Sequence, residues 1–77
     1  MITLFTKPGC AYCTKVIDRI EELSIPYKEK SIADEENLDE LLTRGKKHQV
    51  PYMIDDERGV EMYEQGDIIQ YLESLRI

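Results

Sequence analysis

The feature that most constrains this chain is the pair Cys10 and Cys13, set where one hydrophobic periodicity gives way to another. Ahead of it runs Ile2-Thr3-Leu4-Phe5, a short apolar segment of the kind that forms a buried strand. Behind it, Val16, Ile17, Ile20 and Leu23 recur at steps of three and four, which predicts a helix from Cys13 to about Leu23. The connecting Pro8-Gly9 is turn chemistry. A chain that passes from strand to helix within these few residues puts both sulfurs at a helix start. The first N–H groups of a helix have no intrahelical partner and, with the helix dipole, favour an anion. Cys10, just ahead of the first turn, faces the free N–H groups near Tyr12 and Cys13. Its thiolate, the form that attacks disulfides, is favoured there. Cys13 follows one helical turn later on the same face, beneath Cys10. The expected roles are therefore Cys10 as attacking nucleophile and Cys13 as resolving thiol.

Other uses of the pair fit less well. A structural disulfide here would close only a tiny loop, and cross-link stabilisation grows with loop length. Zinc needs about four ligands, of which the cysteines supply two and His48 one more. No metal is expected. Two inert buried cysteines remain an alternative, but the flanking Pro-Gly and Tyr12 argue for an exposed turn.

The remaining elements follow in order. Ser24-Ile25-Pro26 ends the first helix, because the residue before proline is pushed out of the helical region. Tyr27 to Ile32 alternates imperfectly and reads as an edge strand. Asp34-Glu35-Glu36 supplies acids for a helix start, Leu38, Leu41 and Leu42 its apolar stripe, and Arg44-Gly45 its end. Gln49 to Ile54 reads as a strand opening on Pro51, followed by a Gly-containing loop and a return strand over Val60–Tyr63. Asp67 is the expected N-cap of a last helix carrying Ile68, Ile69, Leu72 and Leu75. The order βαβαββα predicts an α/β thioredoxin fold. It comprises one mixed four-stranded sheet flanked by three helices, with a right-handed crossover between the parallel strands. A single domain over residues 1–77 is expected.

Lys7-Pro8-Gly9-Cys10-Ala11-Tyr12-Cys13-Thr14-Lys15 resembles the motif of dithiol glutaredoxins, which usually have proline where this chain has Ala11. The resemblance runs over the whole chain and implies glutathione as reductant and co-substrate. It implies that Lys7 meets a glutathione carboxylate and that Tyr12 walls the sulfur. It implies a cis Val50-Pro51 bond, with the Val50 backbone pairing like an added strand with the cysteinyl part of glutathione. Gln49 stands where the family carries threonine. The last helix start would hold the γ-glutamyl carboxylate. Its residues Glu64-Gln65-Gly66-Asp67 lack both glycines of the family's Gly-Gly-x-Asp, and with Ile68 they resemble instead the Glu-Ser-x-x-Ile start found in glutathione transferase N-terminal domains. The glutathione-binding set implied is Lys7, Tyr12, Gln49, Val50, Pro51, Gln65, Gly66 and Asp67. For Val50-Pro51 and for Gly66-Asp67, the residues alone also fit ordinary strand-opening and capping roles.

Charge narrows the partners. Ten basic and sixteen acidic residues leave a formal charge of −6, which disfavours nucleic acid. Lys7 and Lys15 flank the cysteines, and Arg44, Lys46 and Lys47 precede Val50; if the fold joins these groups, the cleft is locally positive and suits a small anionic thiol. No apolar run is long enough to span a membrane, and the opening strand is too short for a signal-peptide core. Two cysteines without a disulfide framework fit a reducing cytoplasm. The expected protein is a cytoplasmic monomer that reduces disulfide or glutathionylated proteins. Two other classes stay open: a redoxin fed by thioredoxin reductase, and a carrier of a [2Fe–2S] cluster ligated by glutathione between two copies, a use that the loss of the motif proline at Ala11 permits. A glutathione transferase fragment fits less well, since the second, helical domain is missing from these residues.

Overall fold

The structure is a computed structural model and describes residues 1–76. Its elements run β1 Ile2–Thr6, α1 Ala11–Glu22, β2 Tyr27–Ser31, α2 Glu35–Gly45, β3 Tyr52–Asp55, β4 Val60–Tyr63 and α3 Gln65–Ser74. The sheet order is β2-β1-β3-β4. β1 pairs in parallel with β2, from Ile2 opposite Tyr27 to Thr6 opposite Ser31, and antiparallel with β3. β3 and β4 pair antiparallel, Tyr52 opposite Tyr63. This is the thioredoxin-like α/β arrangement that the element order predicts.

The central strand explains its own sequence. Every residue of β1 is buried because helices cover both faces of the sheet. Ile2, Leu4 and Met53 face Val16 and Ile20 of α1 and Ile68 and Leu72 of α3. Phe5, Tyr52 and Ile54 face Leu41 of α2 and Ile32 on the other side. β2, at the sheet edge, is the polar strand Tyr-Lys-Glu-Lys-Ser and has no buried residue, with Lys28 and Glu29 exposed.

Helix ends follow local chemistry. α1 closes with Ser24 in the left-handed region at φ 56°. The Ser24 N–H donates to the Glu21 carbonyl and the Ile25 N–H to the Ile20 carbonyl, the paired bonds of a Schellman ending. Ile25 and Ile20 also meet in the core, and Pro26 prevents the helix from continuing. α2 opens on Asp34, whose carboxylate accepts the Glu36 N–H at 2.9 Å.

Four boundaries depart from expectation. α1 begins at Ala11, so Cys10 itself is the N-cap. β3 begins at Tyr52, which leaves Gln49, Val50 and Pro51 outside the strand. The left-handed cap of α2 is Lys46, at φ 66°, and Gly45 is the last helical residue. A Cβ at position 45 would stand 2.1 Å from the Tyr63 hydroxyl oxygen, so the glycine answers to packing and not to backbone conformation. Finally, α3 begins at Gln65 with Glu64 as its N-cap at φ 75°, and Asp67 lies inside the first turn. Asp67 is a sound capping residue by type, but the chain leaves β4 at Tyr63 and must enter the helix one residue later.

Asp55, 1% exposed at the end of β3, fastens the pole opposite the cysteines. It accepts from the Tyr71 hydroxyl of α3 at 2.6 Å, the Arg58 guanidinium at 3.2 Å and the Glu57 N–H at 3.1 Å. Burial alone would push its carboxyl up, but the bonds from Tyr71 and Arg58 outweigh burial and hold it below the usual carboxylate range. A carboxyl lowered on folding adds stability that is complete above the unfolded value and fades as pH falls through the lowered folded value. Asp55→Asn is therefore expected to cost about 1–3 kcal/mol at pH 7 in urea denaturation, with the penalty shrinking once pH drops below about 4. A penalty that stays constant from pH 7 to pH 3 would contradict the ionised network.

Candidate active site

The strand-to-helix turn is built by its own residues. The Cys10 N–H donates to the Lys7 carbonyl at 3.3 Å, and Gly9 takes φ 75° after Pro8, the sequence demand of a type II turn. The turn delivers Cys10 to the N-cap in extended conformation, φ −88° and ψ 108°. There the Cys13 N–H donates to Cys10 Sγ at 3.1 Å. A sulfur thus replaces the oxygen of an ordinary cap and satisfies an orphan helix donor. The Thr14 N–H donates to the Cys10 carbonyl at 3.1 Å, and the Thr14 hydroxyl also reaches it.

The two thiols differ sharply. Cys10 is partly exposed, whereas Cys13 is 2% exposed and forms part of the core. Burial first, and then hydrogen bonding with Cys10, push the Cys13 thiol from 9.0 up to about 12. Cys13 is therefore a neutral thiol at physiological pH. Both cysteines are free.

Beside this turn lies a cleft of about 420 Å³, lined by Tyr12, Gln49, Val50, Pro51, Glu64, Gln65 and Gly66. Three separate segments meet here: the start of α1, the loop before β3 and the start of α3. The Val50-Pro51 bond is cis. Tyr12 is 60% exposed, with the Lys15 ammonium 5.7 Å from its ring centre. An adjoining depression shares Gln49 and Val50 and adds Lys7, Ile32 and His48. Of the residues singled out in the sequence, Tyr12, Gln49, Val50, Pro51, Gln65 and Gly66 thus border one cleft, Lys7 borders its neighbour, and Asp67 is exposed in the first turn of α3 without lining either.

The basic groups do not combine as the charge pattern suggested. Arg44 donates to Glu61 of β4 at 2.9 Å, and the Lys47 ammonium lies over the Tyr63 ring. From that segment only His48 joins Lys7 at the depression. The binding set implied by the sequence left out Glu64, named there only as part of the helix start; it lines the cleft and accepts from the Gln49 side-chain amide at 3.1 Å. Its positive φ has no signal in the sequence, since glutamate is not a residue that favours that region. A further cavity, lined by Ile2, Ile25, Pro26, Arg58 and Leu75 among others, lies at the opposite end of β1. Among the described residues, no group of three or more His, Cys, Asp or Glu side chains is arranged to hold a metal ion, and no helix is long and apolar enough to cross a membrane.

Comparison with known proteins bears on this geometry. Residues 4–76 match the family model for the glutathione S-transferase N-terminal domain. A glutathione transferase homologue from Sulfitobacter, solved with bound glutathione, superposes with a TM-score of 0.80 at 24% identity, over 99% of this chain and 37% of that one. A thioredoxin-like protein of similar size superposes at 0.81 with 23% identity, over 94% of this chain and 99% of its own. The global transcriptional regulator Spx of Listeria innocua is 48% identical over 42 residues, which are 53% of this chain and 32% of the regulator. The matched segments thus cover about a third of the regulator and of the transferase homologue, and only about half of this chain in the case of the regulator.

The asymmetry of the thiols is directly testable. A thiolate reacts with alkylating agents and a thiol does not. Iodoacetamide at pH 8 is expected to add one group per folded chain, on Cys10, with Cys13 labelled only after denaturation or as pH approaches 12. Peptide mapping that finds Cys13 labelled first would refute this order.

Proposed function

Since the chain belongs to the family of glutathione S-transferase N-terminal domains, we propose that it is a glutathione-dependent thiol–disulfide oxidoreductase of glutaredoxin type. Its substrates are glutathione mixed disulfides and protein disulfides. The observation that carries this reading is the Cys13 N–H directed at Cys10 Sγ at 3.1 Å, beside a cleft of a size that suits a small peptide. Cys10 and Cys13 are the reacting pair. Glutathione lies in the cleft with its cysteinyl backbone against Val50, its γ-glutamyl carboxylate at the free N–H groups of Gln65 and Gly66, and its other carboxylate toward Lys7. Pro51, Tyr12 and Gln49 shape the walls. Asp67 acts from the first turn of α3 and not as a cleft wall.

The reaction runs by exchange at sulfur. The Cys10 thiolate attacks the glutathionyl sulfur of a mixed disulfide, the substrate's S–S bond breaks, and the substrate leaves as a thiolate. Negative charge moves off Cys10 and the Cys13 N–H is released. A second glutathione thiolate then displaces Cys10 and departs as oxidised glutathione. With a protein disulfide, the protein remains on Cys10 until Cys13 gives up its proton and closes the Cys10–Cys13 disulfide. Two glutathiones then restore the dithiol. Burial disfavours the Cys13 thiolate that closure needs, which gives a glutathione thiolate the chance to compete for the mixed disulfide. Such a cycle needs a reducing compartment, which fits the cytoplasm, and the reading takes the protein to act as a monomer.

The likeness to a transcriptional regulator favours a second reading, in which the same dithiol senses oxidants and does not turn over. Steady-state kinetics separates the two. With a small glutathione mixed disulfide, NADPH, glutathione and glutathione reductase, the protein is expected to show catalytic turnover. Cys10→Ser is expected to lose it, and Cys13→Ser to keep it within about threefold while losing protein disulfide reduction. Turnover that survives Cys10→Ser would reverse the assignment. Turnover only when thioredoxin reductase replaces glutathione would move the electron source, and oxidation of Cys10 without turnover would favour the sensor.

A further inference from the structure

Two walls of the cleft come from separate segments, and the means of holding them together lies outside the cysteine pair. One wall is the loop between Lys46 and Tyr52, which belongs to no helix or strand. Among the described residues, no backbone–backbone hydrogen bond outside the helices and strands involves residues 47–51. The other wall begins where β4 ends, at Tyr63 and Glu64. The Tyr63 hydroxyl donates to the Lys47 carbonyl at 2.9 Å and accepts the Lys47 N–H at 3.2 Å. One residue further on, Glu64 accepts from Gln49. Two consecutive residues of one wall therefore hold two residues of the other.

The rest of the fold sets Tyr63 for this task. Its ring packs on Tyr52 with centroids 4.5 Å apart, and Tyr52 in turn packs on Phe5 of the central strand. The Lys47 ammonium closes over its outer face at 5.5 Å. The ring reaches the loop only because residue 45 is glycine: an added Cβ would stand 2.1 Å from its oxygen and 2.9 Å from Cζ. The hydroxyl meets both polar groups of one peptide residue in a loop that no ladder secures, which is more than ordinary packing of an aromatic ring provides.

We infer that Tyr63 is a positioning residue for the cleft: through Lys47 it fixes the loop that presents the Val50 backbone, with Gly45 giving its hydroxyl access. For the identity of the ligand, the inference rests on the glutathione reading above. The hydroxyl never touches the ligand. Its effect is to hold the Val50 wall at the spacing that α3 requires.

Tyr63→Phe keeps the ring and deletes both bonds to Lys47. Gly45→Ala keeps the hydroxyl and displaces it. In the glutathione-coupled assay, Tyr63→Phe is expected to raise KM for the mixed disulfide about fivefold or more while kcat stays within about twofold. Amide exchange at Lys47 is expected to accelerate about tenfold, with the β1 amides unaffected. Gly45→Ala should reproduce both effects, and in the double variant the effects should not add. Should Gly45→Ala fold poorly, Tyr63→Phe decides alone. Unchanged exchange at Lys47, or faster exchange with unchanged KM, would overturn the inference. If the wild-type protein shows no glutathione-dependent turnover, the functional reading falls by itself. The exchange rate at Lys47 then still decides whether Tyr63 holds the loop.

Discussion

One contact organises the candidate site of this protein: a backbone N–H at the first turn of α1 pointing at a cysteine sulfur. It exists because a strand buried on both faces ends at Thr6 and a Pro-Gly turn redirects the chain within four residues. The helix then starts under Cys10, with its own orphan donors as the surrounding polar groups. Burial of Cys13 in the same first turn is the other half of the arrangement. It removes the second sulfur from water and keeps its proton on. Two chemically identical side chains thus sit in different surroundings, one at the helix cap and one in the core.

The cleft depends on a different kind of support. Its walls come from residues near 12, 50 and 65, which are brought together only by the sheet order β2-β1-β3-β4. The aromatic series Phe5, Tyr52 and Tyr63 runs from the central strand to the edge and ends in a hydroxyl gripping the loop before Pro51. Near it, Glu61 accepts from both Tyr52 and Arg44. Hydrogen bonds from Tyr52 and Arg44 hold the Glu61 carboxyl below its usual range, and burial with the bond to Glu61 raises the Tyr52 hydroxyl. The polar face of α2 is thereby fastened to β4. Arg44, attractive on paper as part of a positive cleft, is used in this fastening.

The elements legible in the sequence were those whose cause is local. The β1 run and the α1 stripe declare themselves by period, and the turn between them by Pro8-Gly9. The Asp34 cap of α2 and the stop before Pro26 are equally local. The misplaced boundaries share one reason. Gly45 looked like a cap because glycine commonly serves there, yet its missing side chain answers to Tyr63, eighteen positions away in sequence. Asp67 looked like the α3 cap because of its type, yet the end of β4 sets where that helix begins.

By itself, then, the sequence determined the order of the elements and the placement of a dithiol at a helix start, because both depend on hydrophobic period and turn chemistry within about a dozen residues. It also carried the unequal standing of Cys10 and Cys13, since Cys10 caps the helix while Cys13, one turn deeper on the same face, belongs to the buried apolar stripe. Only the tertiary structure decided which residues share the cleft, how far Lys7 and Asp67 stand from it, and that Tyr63 and Glu64 hold its walls. Those outcomes rest on strand pairing and side-chain contacts between distant segments. Such contacts leave no period in the chain, because each is a single meeting and not a repeat.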